Sequence, residues 1–321
     1  MSVVVCHWSL APFAKDQQPP TNDSAMTDHE LHELRRQKWR LDGRPVRTIE
    51  EAREFMESVG FCLMYPLSLQ DASTHGGAEL VIPTFIGAWT GNDKDLPTRQ
   101  RAFADPRAHD ATELAVRLLR ERSAYEASMF GENLLVAASV FPYFYALAGD
   151  RNPRQDLSSD RTVSPLAQDL LRVIQSSGPL TKRRLAEILG GDPSEAAMDR
   201  ALAELASRLR ITRVDYNPHD GSFWDVLYRW SPDPVNEGMH LSAAVALSAL
   251  ISKYLDCVIA ADEKTIADFF SPLVARSKVK EALNALLAAR ELEFIRVGNH
   301  TLLQVAPART SVQPRHSQRR A

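Results

Sequence analysis

The most basic stretch of the chain surrounds a single tryptophan. Residues 29–40 read HELHELRRQKWR, and this segment places four cations around one aromatic ring: Arg35, Arg36, Lys38, Trp39 and Arg40. Cations that neutralise phosphates, beside a ring that stacks on a base, hold a nucleic acid strand without reading its sequence. The alternative is a solvated helix whose tryptophan packs on the body of the protein. The sequence leaves both interpretations open.

A second candidate for chemistry is the segment GFCLMYP at residues 60–66. It begins with glycine, ends with proline and carries apolar or weakly polar side chains between them, a pattern that indicates a short buried strand. No acid, amide or histidine interrupts it. The residue types therefore predict a core strand rather than a reaction centre.

Neither a metal nor a cofactor is predicted. Cys6, Cys62 and Cys257 lie far apart and form no CxxC pair, so neither a zinc ribbon nor a disulfide framework is indicated. His29 and His32 share a helix face, but no third ligand is nearby, and we expect them to be solvated. Scattered cysteines fit a reducing compartment, so a cytoplasmic location is expected.

Composition places the chain among ordinary globular proteins. It has 321 residues, of which 44% are hydrophobic and 25% charged, enough for two or three domains. The net charge is −3, so any DNA-binding surface must be local. No apolar run is long enough to span a membrane. Residues 1–28 and the arginine-rich tail 307–321 are predicted to be disordered, and Met26 is an alternative start.

Helical periodicity defines an amino-terminal lobe at residues 29–150. The segment 47–60 has an apolar stripe, and Thr48 and Glu51 have the spacing of a capping box. Residues 70–112 lack periodicity and are predicted to be irregular. A helix is expected over residues 111–127, followed by a strand. A polar linker at residues 151–163 ends this part.

Two copies of one unit follow the linker. In residues 164–232, three helical segments precede the strands RITRVDY and SFWDVLYRW. In residues 238–306, three helical segments precede LEFIRV and TLLQV. Three helices and a hairpin form a winged helix-turn-helix, and their repetition favours tandem domains. The predicted fold class is mostly α with short β-hairpins, built from tandem winged helix-turn-helix domains and a winged-helix-like lobe.

A winged helix binds DNA with its third helix in the major groove. In the first repeat that helix carries acids, which repel phosphate, so the better cations lie on the second helix. The candidate DNA-binding residues of the two repeats are Lys182, Arg183, Arg184, Arg276, Lys278, Lys280 and Asn284. Each repeat is close to neutral overall. Packing or protein contacts are therefore the alternative use of these units.

This layout resembles the AlkZ/YcaQ-like family of tandem winged-helix DNA glycosylases, and more closely a divergent AlkZ-related branch. The resemblance rests on RRQKWRLDGRPVRTIEEAREFMESVGFCLMYPL, PTFIGAWTG, VFPYFYALAG and the two repeats, and it covers about residues 29–306. It implies three winged-helix units around a concave DNA-binding surface. It also implies removal of alkylated or crosslinked bases without a metal or cofactor.

The resemblance places the chemistry of its catalytic members on the strand at residues 60–66. Those members carry Gln-x-Gln or Gln-x-Asp shortly after the glycine, and the corresponding positions here are Leu63 and Tyr65. A shift of one residue would give Met64 and Pro66 instead. None of these side chains is a general base at neutral pH, so the catalytic pair is expected to be missing.

Other acids could replace that pair. Gln70 and Asp71 are adjacent, and adjacent side chains on a strand point to opposite faces. Glu121 and Glu126 are expected on the surface of the helix at 111–127. Three functions therefore remain open. The chain is a DNA-binding protein without the catalytic pair, a glycosylase that uses a different acid, or a transcriptional regulator or protein-interaction module.

Overall fold

The computed structural model describes residues 25–67, 80–102, 104–158, 160–191, 193–217 and 219–307. Helices dominate these residues, and short hairpins belong to three-stranded sheets, which confirms the mostly helical class predicted from the sequence. Outside the described residues lie Cys6, Gln70, Asp71, the tail from residue 308 onward and residues 1–24 of the amino-terminal segment. Residues 25–28 of that segment were predicted to be disordered, but they form a short strand, Ala25–Met26, and the start of the first helix, which Thr27 caps.

The amino-terminal lobe places helices around a small antiparallel sheet. Its elements are β1 (Ala25–Met26), α1 (Asp28–Lys38), α2 (Ile49–Val59), β2 (Phe61–Leu63), α3 (Phe85–Thr90), α4 (Arg99–Ala102), α5 (Pro106–Arg120), β3 (Ala124–Met129), β4 (Glu132–Ala137) and α6 (Phe141–Ala148). The strand order is β2-β4-β3. The segment at residues 60–66 thus contains a strand, as predicted.

Local signals explain where α2 begins and β2 follows. Thr48 and Glu51 form the predicted capping box, with each side chain bonded to the backbone N–H of the other residue. Gly60 ends the helix at φ 78°, a left-handed conformation that favours glycine. Lys253, distant in sequence, donates to the carbonyls of Glu57 and Ser58 and so caps the end of α2.

Two predictions for this lobe are wrong. Residues 70–112 were expected to be irregular, yet α3, α4 and the start of α5 lie there. Asp105 caps α5 and Pro106 occupies its first turn, which are ordinary start signals. The helix expected over 111–127 ends at Arg120, because Arg122 turns the chain at φ 58° into β3.

The two repeats follow in the predicted order. The middle unit contains α7 (Pro165–Ser177), β5 (Leu180–Thr181), α8 (Lys182–Leu189), α9 (Glu195–Ser207), β6 (Ile211–Asn217) and β7 (Gly221–Val226). After α10 (Leu227–Trp230) and α11 (Pro232–His240), the carboxyl-terminal unit contains α12 (Ala243–Val258), α13 (Glu263–Phe270), α14 (Arg276–Ala288), β8 (Leu292–Val297) and β9 (His300–Val305). The hairpins expected after residues 209 and 290 are confirmed.

The hydrophobic cores group these units unexpectedly. The amino-terminal lobe and the carboxyl-terminal unit share one continuous core, in which Phe61 of β2 stacks on Tyr254 and Phe269. The middle unit has a separate core. Leu157 and Val163, from the segment predicted to be a linker, are buried in that separate core.

Within the described ranges, no single helix is long and apolar enough to cross a membrane. The pair formed by α11 and α12 passes on combined length and composition, but it is bent by 114° at its break.

Candidate functional site

The basic helix α1 is held against the end of α12 by its own cations. Arg35 donates from Nε to the carbonyl of Val258 at 2.8 Å and from Nη2 to the carbonyl of Ala260 at 2.7 Å. Carbonyls at a helix carboxyl end lack intrahelical partners, and a guanidinium both satisfies them and complements the helix dipole. Arg35 therefore has a structural task in this position.

The rest of the basic cluster is also engaged within the protein. Trp39 donates from its indole N–H to the carbonyl of Cys257 at 2.9 Å, and Lys38 lies 2.6 Å from Asp256. Ion pairs to Asp93 and Glu54 engage Arg36 and Arg40. The side chains of Arg36, Lys38 and Arg40 are only 18–32% exposed. The contacts agree with the packed alternative for Trp39, and a DNA-binding role for these residues stays a prediction.

The position of Leu63 is closed to solvent and to water-mediated chemistry. Its side chain is 2% exposed. Leu63 pairs with Leu134 of β4 on one side and bridges Thr84 on the other, so backbone hydrogen bonds flank β2 on both edges. Cys62 and Met64 are buried as well. Nothing in this short strand offers an amide or a carboxylate.

Tyr65 lies just beyond β2 and reaches a cavity. Its hydroxyl is 2.8 Å from the hydroxyl of Thr112, which itself donates to the carbonyl of Ala108 at 2.7 Å. Because a threonine hydroxyl has one proton, Tyr65 is the donor in the first bond. Burial raises the pKa of Tyr65 above its usual value. The phenol is therefore neutral at physiological pH.

We call the cavity above Tyr65 the Tyr65 cleft. It has a volume of about 550 Å³ and lies between α5 of the amino-terminal lobe and Tyr216 of β6 in the middle unit. His109, Glu113 and Arg117 of α5 line it. These three residues are four positions apart, so they share one helix face, and all three are exposed. The cleft thus combines two aromatic rings, an imidazole, a carboxylate and a guanidinium.

A second cavity, the Glu126 groove, also has Tyr216 in its lining. It has a volume of about 740 Å³ and is bounded by the β3–β4 hairpin and by β6, β7, α8 and α9. Glu126 accepts two hydrogen bonds from the guanidinium of Arg213, at 3.0 and 2.6 Å. Glu126 was expected on a helix surface, but it lies on β3 and ties the lobe to the middle unit.

The ion pairs across this junction fix both cavities. Arg120 of α5 pairs with Asp215 of β6, close to the bidentate pair of Glu126 and Arg213. Glu121, the other acid considered from the sequence, pairs with Arg53. Glu121 and Glu126 are therefore both ion-paired with arginines. Neither is an unpaired carboxylate poised beside an empty space.

The cations predicted to contact DNA from the repeats all have acidic neighbours. The partners are Glu195 and Asp199 for Lys182, Asp220 for Arg183, Glu187 for Arg184, Asp268 for Arg276, Glu281 for Lys278 and Glu263 for Lys280, at N–O distances of 2.6–3.9 Å. Most of these cations remain well exposed, as does Asn284. The surface is thus mixed in charge rather than uniformly positive. Within the described part of the chain, no group of three or more His, Cys, Asp or Glu side chains could hold a metal ion.

Sequence reasoning missed the residues that form the Tyr65 cleft. His109, Glu113 and Arg117 fell in a segment whose helix start was misplaced, so their shared face was not recognised. The four-residue spacing was a usable signal once the start at Asp105 was known. Tyr216 could not be connected to Tyr65 from the sequence, because 151 residues separate them and only the packing of β6 on α5 brings them together.

Comparisons with known proteins agree on the scaffold. The model of a family described as DNA glycosylase AlkZ-like matches residues 94–321. The fold is similar to that of the Streptomyces sahachiroi DNA glycosylase AlkZ, with a TM-score of 0.53 and 15% sequence identity over 88% of this chain and 70% of that chain. No curated protein sequence is significantly similar to the chain.

Proposed function

The chain belongs to the DNA glycosylase AlkZ-like family, and we propose that it is a DNA-binding protein on this scaffold that lacks the catalytic pair of the enzymes it resembles. The observation that carries the proposal is Leu63, which is 2% exposed where those enzymes place a glutamine. Tyr65, at the second position, has its proton committed to Thr112. The family match begins at residue 94, after β2, which fits divergence in this segment.

The proposal includes tandem winged helix-turn-helix units. In the middle unit, helix, strand, two helices and a hairpin follow one another, and the strands have the order β5-β7-β6. The carboxyl-terminal unit repeats this order, and an isolated bridge between Ala261 and Leu303 replaces the first short strand. Both arrangements agree with a wing after the third helix.

The exposed cations of the repeats are the better DNA contacts. The side chains of Arg183, Arg184, Arg276, Lys278 and Lys280 are 62–71% exposed. Exposed ion pairs contribute little free energy, so phosphate can displace their acidic partners at small cost. The cations of α1 are more buried and hold the fold together. We therefore assign DNA contact to the cations of α8 and α14 in preference to those of α1.

Binding is tested by fluorescence anisotropy of a labelled duplex over a salt series. Neutralising Z phosphates gives a log–log slope of about −0.9Z. Replacing Lys278 and Lys280 by alanine is expected to lower the magnitude of the slope by up to about 2. Glu281→Gln is the matched control, for which the opposite change in DNA affinity is expected. It removes the acid 2.7 Å from Lys278 and should therefore tighten binding. An unchanged slope in the double alanine variant, together with unchanged affinity in Glu281→Gln, would refute the assignment to α14.

Loss of catalysis is tested with a duplex containing 7-methylguanine. We expect no released base above a protein-free control. Release by the wild-type chain would instead establish the alternative, a glycosylase that uses a different acid. Glu121→Gln and Glu126→Gln would then show whether either acid contributes, although both are engaged by arginines in the structure.

A protein-interaction module or transcriptional regulator is the second candidate. The acidic partner beside every predicted cation of the repeats favours it, because such a surface attracts phosphate weakly. Failure to bind any duplex at low salt, by a protein with native circular dichroism, would favour this candidate over DNA binding.

A further inference from the structure

We propose that the middle unit rotates as a rigid body against the amino-terminal lobe, about a hinge formed by Gly149 and Ser231. Ion pairs at the other end of the junction hold the two parts closed. We call them the latch, and they are Glu126–Arg213 and Arg120–Asp215. The rotation requires no DNA, so it is independent of the proposed function.

The middle unit has the properties of a separate body. Its hydrophobic core is distinct from the continuous core of the lobe and the carboxyl-terminal unit. Contacts between units of one chain resemble transient protein interfaces, and relative motion is expected unless the contact is large and apolar. Here the contact with the lobe includes two ion pairs and borders two cavities. Much of this junction is therefore polar or empty rather than packed.

The chain enters the middle unit through Gly149, directly after α6. The side chain of Arg210 is fully buried and pairs with Asp150 at 2.6 Å. It also donates to the carbonyls of Asn152 and Gln155. The segment from residue 150 onward is therefore fastened to the middle unit, and the bend in this crossing is confined to Gly149.

The chain leaves the middle unit through Ser231, which separates α10 from α11. Arg229 of α10 donates to the carbonyls of Ile174 and Gln175 at the end of α7, at 2.9 and 2.8 Å. The helix α10 is therefore tied to the middle unit, whereas α11 packs on α6 of the lobe. The bend in this second crossing is at Ser231.

The hinge end of the junction is held by aromatic side chains of the lobe. The hydroxyl of Tyr125 accepts from Ser231 at 3.0 Å, and that of Tyr145 donates to the carbonyl of Asp150 at 2.8 Å. Both rings pack on Phe141 in the continuous core. Because these contacts lie beside the hinge residues, a rotation changes them little.

The strand β6 carries the motion away from the hinge. It begins beside the hinge, because Leu209 and Leu227 are buried in the continuous core and Leu227 donates to the carbonyl of Arg210. Tyr216 follows six residues later, roughly 20 Å along the strand at about 3.3 Å per residue. A rotation of about 15°, the size of a known rigid-body step, moves Tyr216 by about 5 Å. Since Tyr216 lines both the Tyr65 cleft and the Glu126 groove, both cavities widen together.

The two latch pairs differ in strength. Arg120 and Asp215 are 52% and 40% exposed, and an exposed pair contributes little free energy and is screened by salt. Arg213 and Glu126 are only 18% and 11% exposed, so salt screens them less. Raised ionic strength should therefore weaken the first pair, and full opening requires loss of the second.

The test is pulsed electron double resonance between nitroxide labels on the two sides of the Glu126 groove. Ser128→Cys on β3 and Ala203→Cys on α9 provide exposed attachment sites that line this groove. Cys62 and Cys257 are buried, and Cys6→Ser removes the third native thiol. One short distance is expected at low ionic strength in the protein without DNA.

Removing the latch should open the junction. Arg120→Ala combined with Arg213→Ala is expected to add a population about 5 Å longer at low ionic strength. The unmodified latch should show the same population at about 1 M salt, where the Debye length is about 3 Å. The charge swap Glu126→Arg with Arg213→Glu should recover the short distance, which separates loss of attraction from damage to the fold.

The matched control removes two ion pairs that lie within single units. Arg53→Ala and Arg172→Ala together delete pairs with Glu121 in the lobe and Asp169 in the middle unit, and the short distance should persist. A single short distance in the latch variant and at high salt would overturn the inference. So would equal lengthening between labels at Arg161→Cys and Ala203→Cys, both in the middle unit, because that change reports unfolding rather than rotation.

Discussion

Replacing Arg35 by alanine separates the two interpretations of the basic helix. In the structure its guanidinium donates to the carbonyls of Val258 and Ala260 at 2.8 and 2.7 Å. Hydrogen bonds with a charged donor are worth about 1.5–3 kcal/mol each. Since the side chain is only partly buried, the lower value applies to each bond, and Arg35→Ala should lower the free energy of unfolding by about 3 kcal/mol. Arg35→Lys, which can satisfy one carbonyl, should lose about half as much.

The assay is urea unfolding followed by circular dichroism, run beside DNA binding in a salt series. Lys94→Ala is the charge-matched control: Lys94 is exposed and has no ion pair within the described ranges, so its effect should stay within about 0.5 kcal/mol. A structural Arg35 lowers the urea midpoint and leaves the salt slope unchanged. A slope reduced by about 0.9 with an unchanged urea midpoint would refute the structural role.

Three further predictions concern other contacts. Arg213→Ala leaves the part-buried Glu126 without its partner and should destabilise the fold by about 1–3 kcal/mol, measured by urea unfolding. Burial, aided by the charge of Asp150, raises the pKa of Tyr145 to about 12. The contribution of the neutral phenol to folding stability is complete below the unfolded pKa of about 10 and is lost as the pH rises through the folded pKa. The ultraviolet absorbance of its phenolate should therefore appear only at higher pH than that of a free tyrosine, and this late component should be absent in Tyr145→Phe. Leu63→Gln should lower stability by about 3 kcal/mol in the same urea assay and create no base release, because the amide would be buried without partners.

The repeated architecture could be predicted because its signals are local. Thr181 caps α8 by accepting a hydrogen bond from the backbone N–H of Arg184, and the predicted hairpins follow α9 and α14. Each of these features depends on residues a few positions apart. Leu63 was likewise placed in the core from its immediate neighbours, and its burial is confirmed.

The junction of the lobe and the middle unit could not be predicted, because it depends on contacts between distant segments. Glu126 lies in AYEASM, whose sequence pattern continues that of the preceding helix, but Arg122 turns the chain before this segment and places it on β3. Its partner Arg213 is 87 residues away. No sequence pattern distinguishes a solvated Trp39 from a packed one, because the carbonyl of Cys257 that accepts the indole hydrogen bond is equally remote.

The shared core of the first and last units has a consequence for synthesis. β1 pairs with β8 in parallel, and Phe61 packs on Tyr254 and Phe269. The core of the amino-terminal lobe is therefore complete only when the carboxyl-terminal unit has packed against it. Chains emerge from the ribosome amino terminus first, and domains generally fold as units. The apolar surface of the first lobe therefore stays exposed while the middle unit is synthesised and folds around its own core. Chaperone protection during that interval is expected to matter more for this protein than for one with three independent domains.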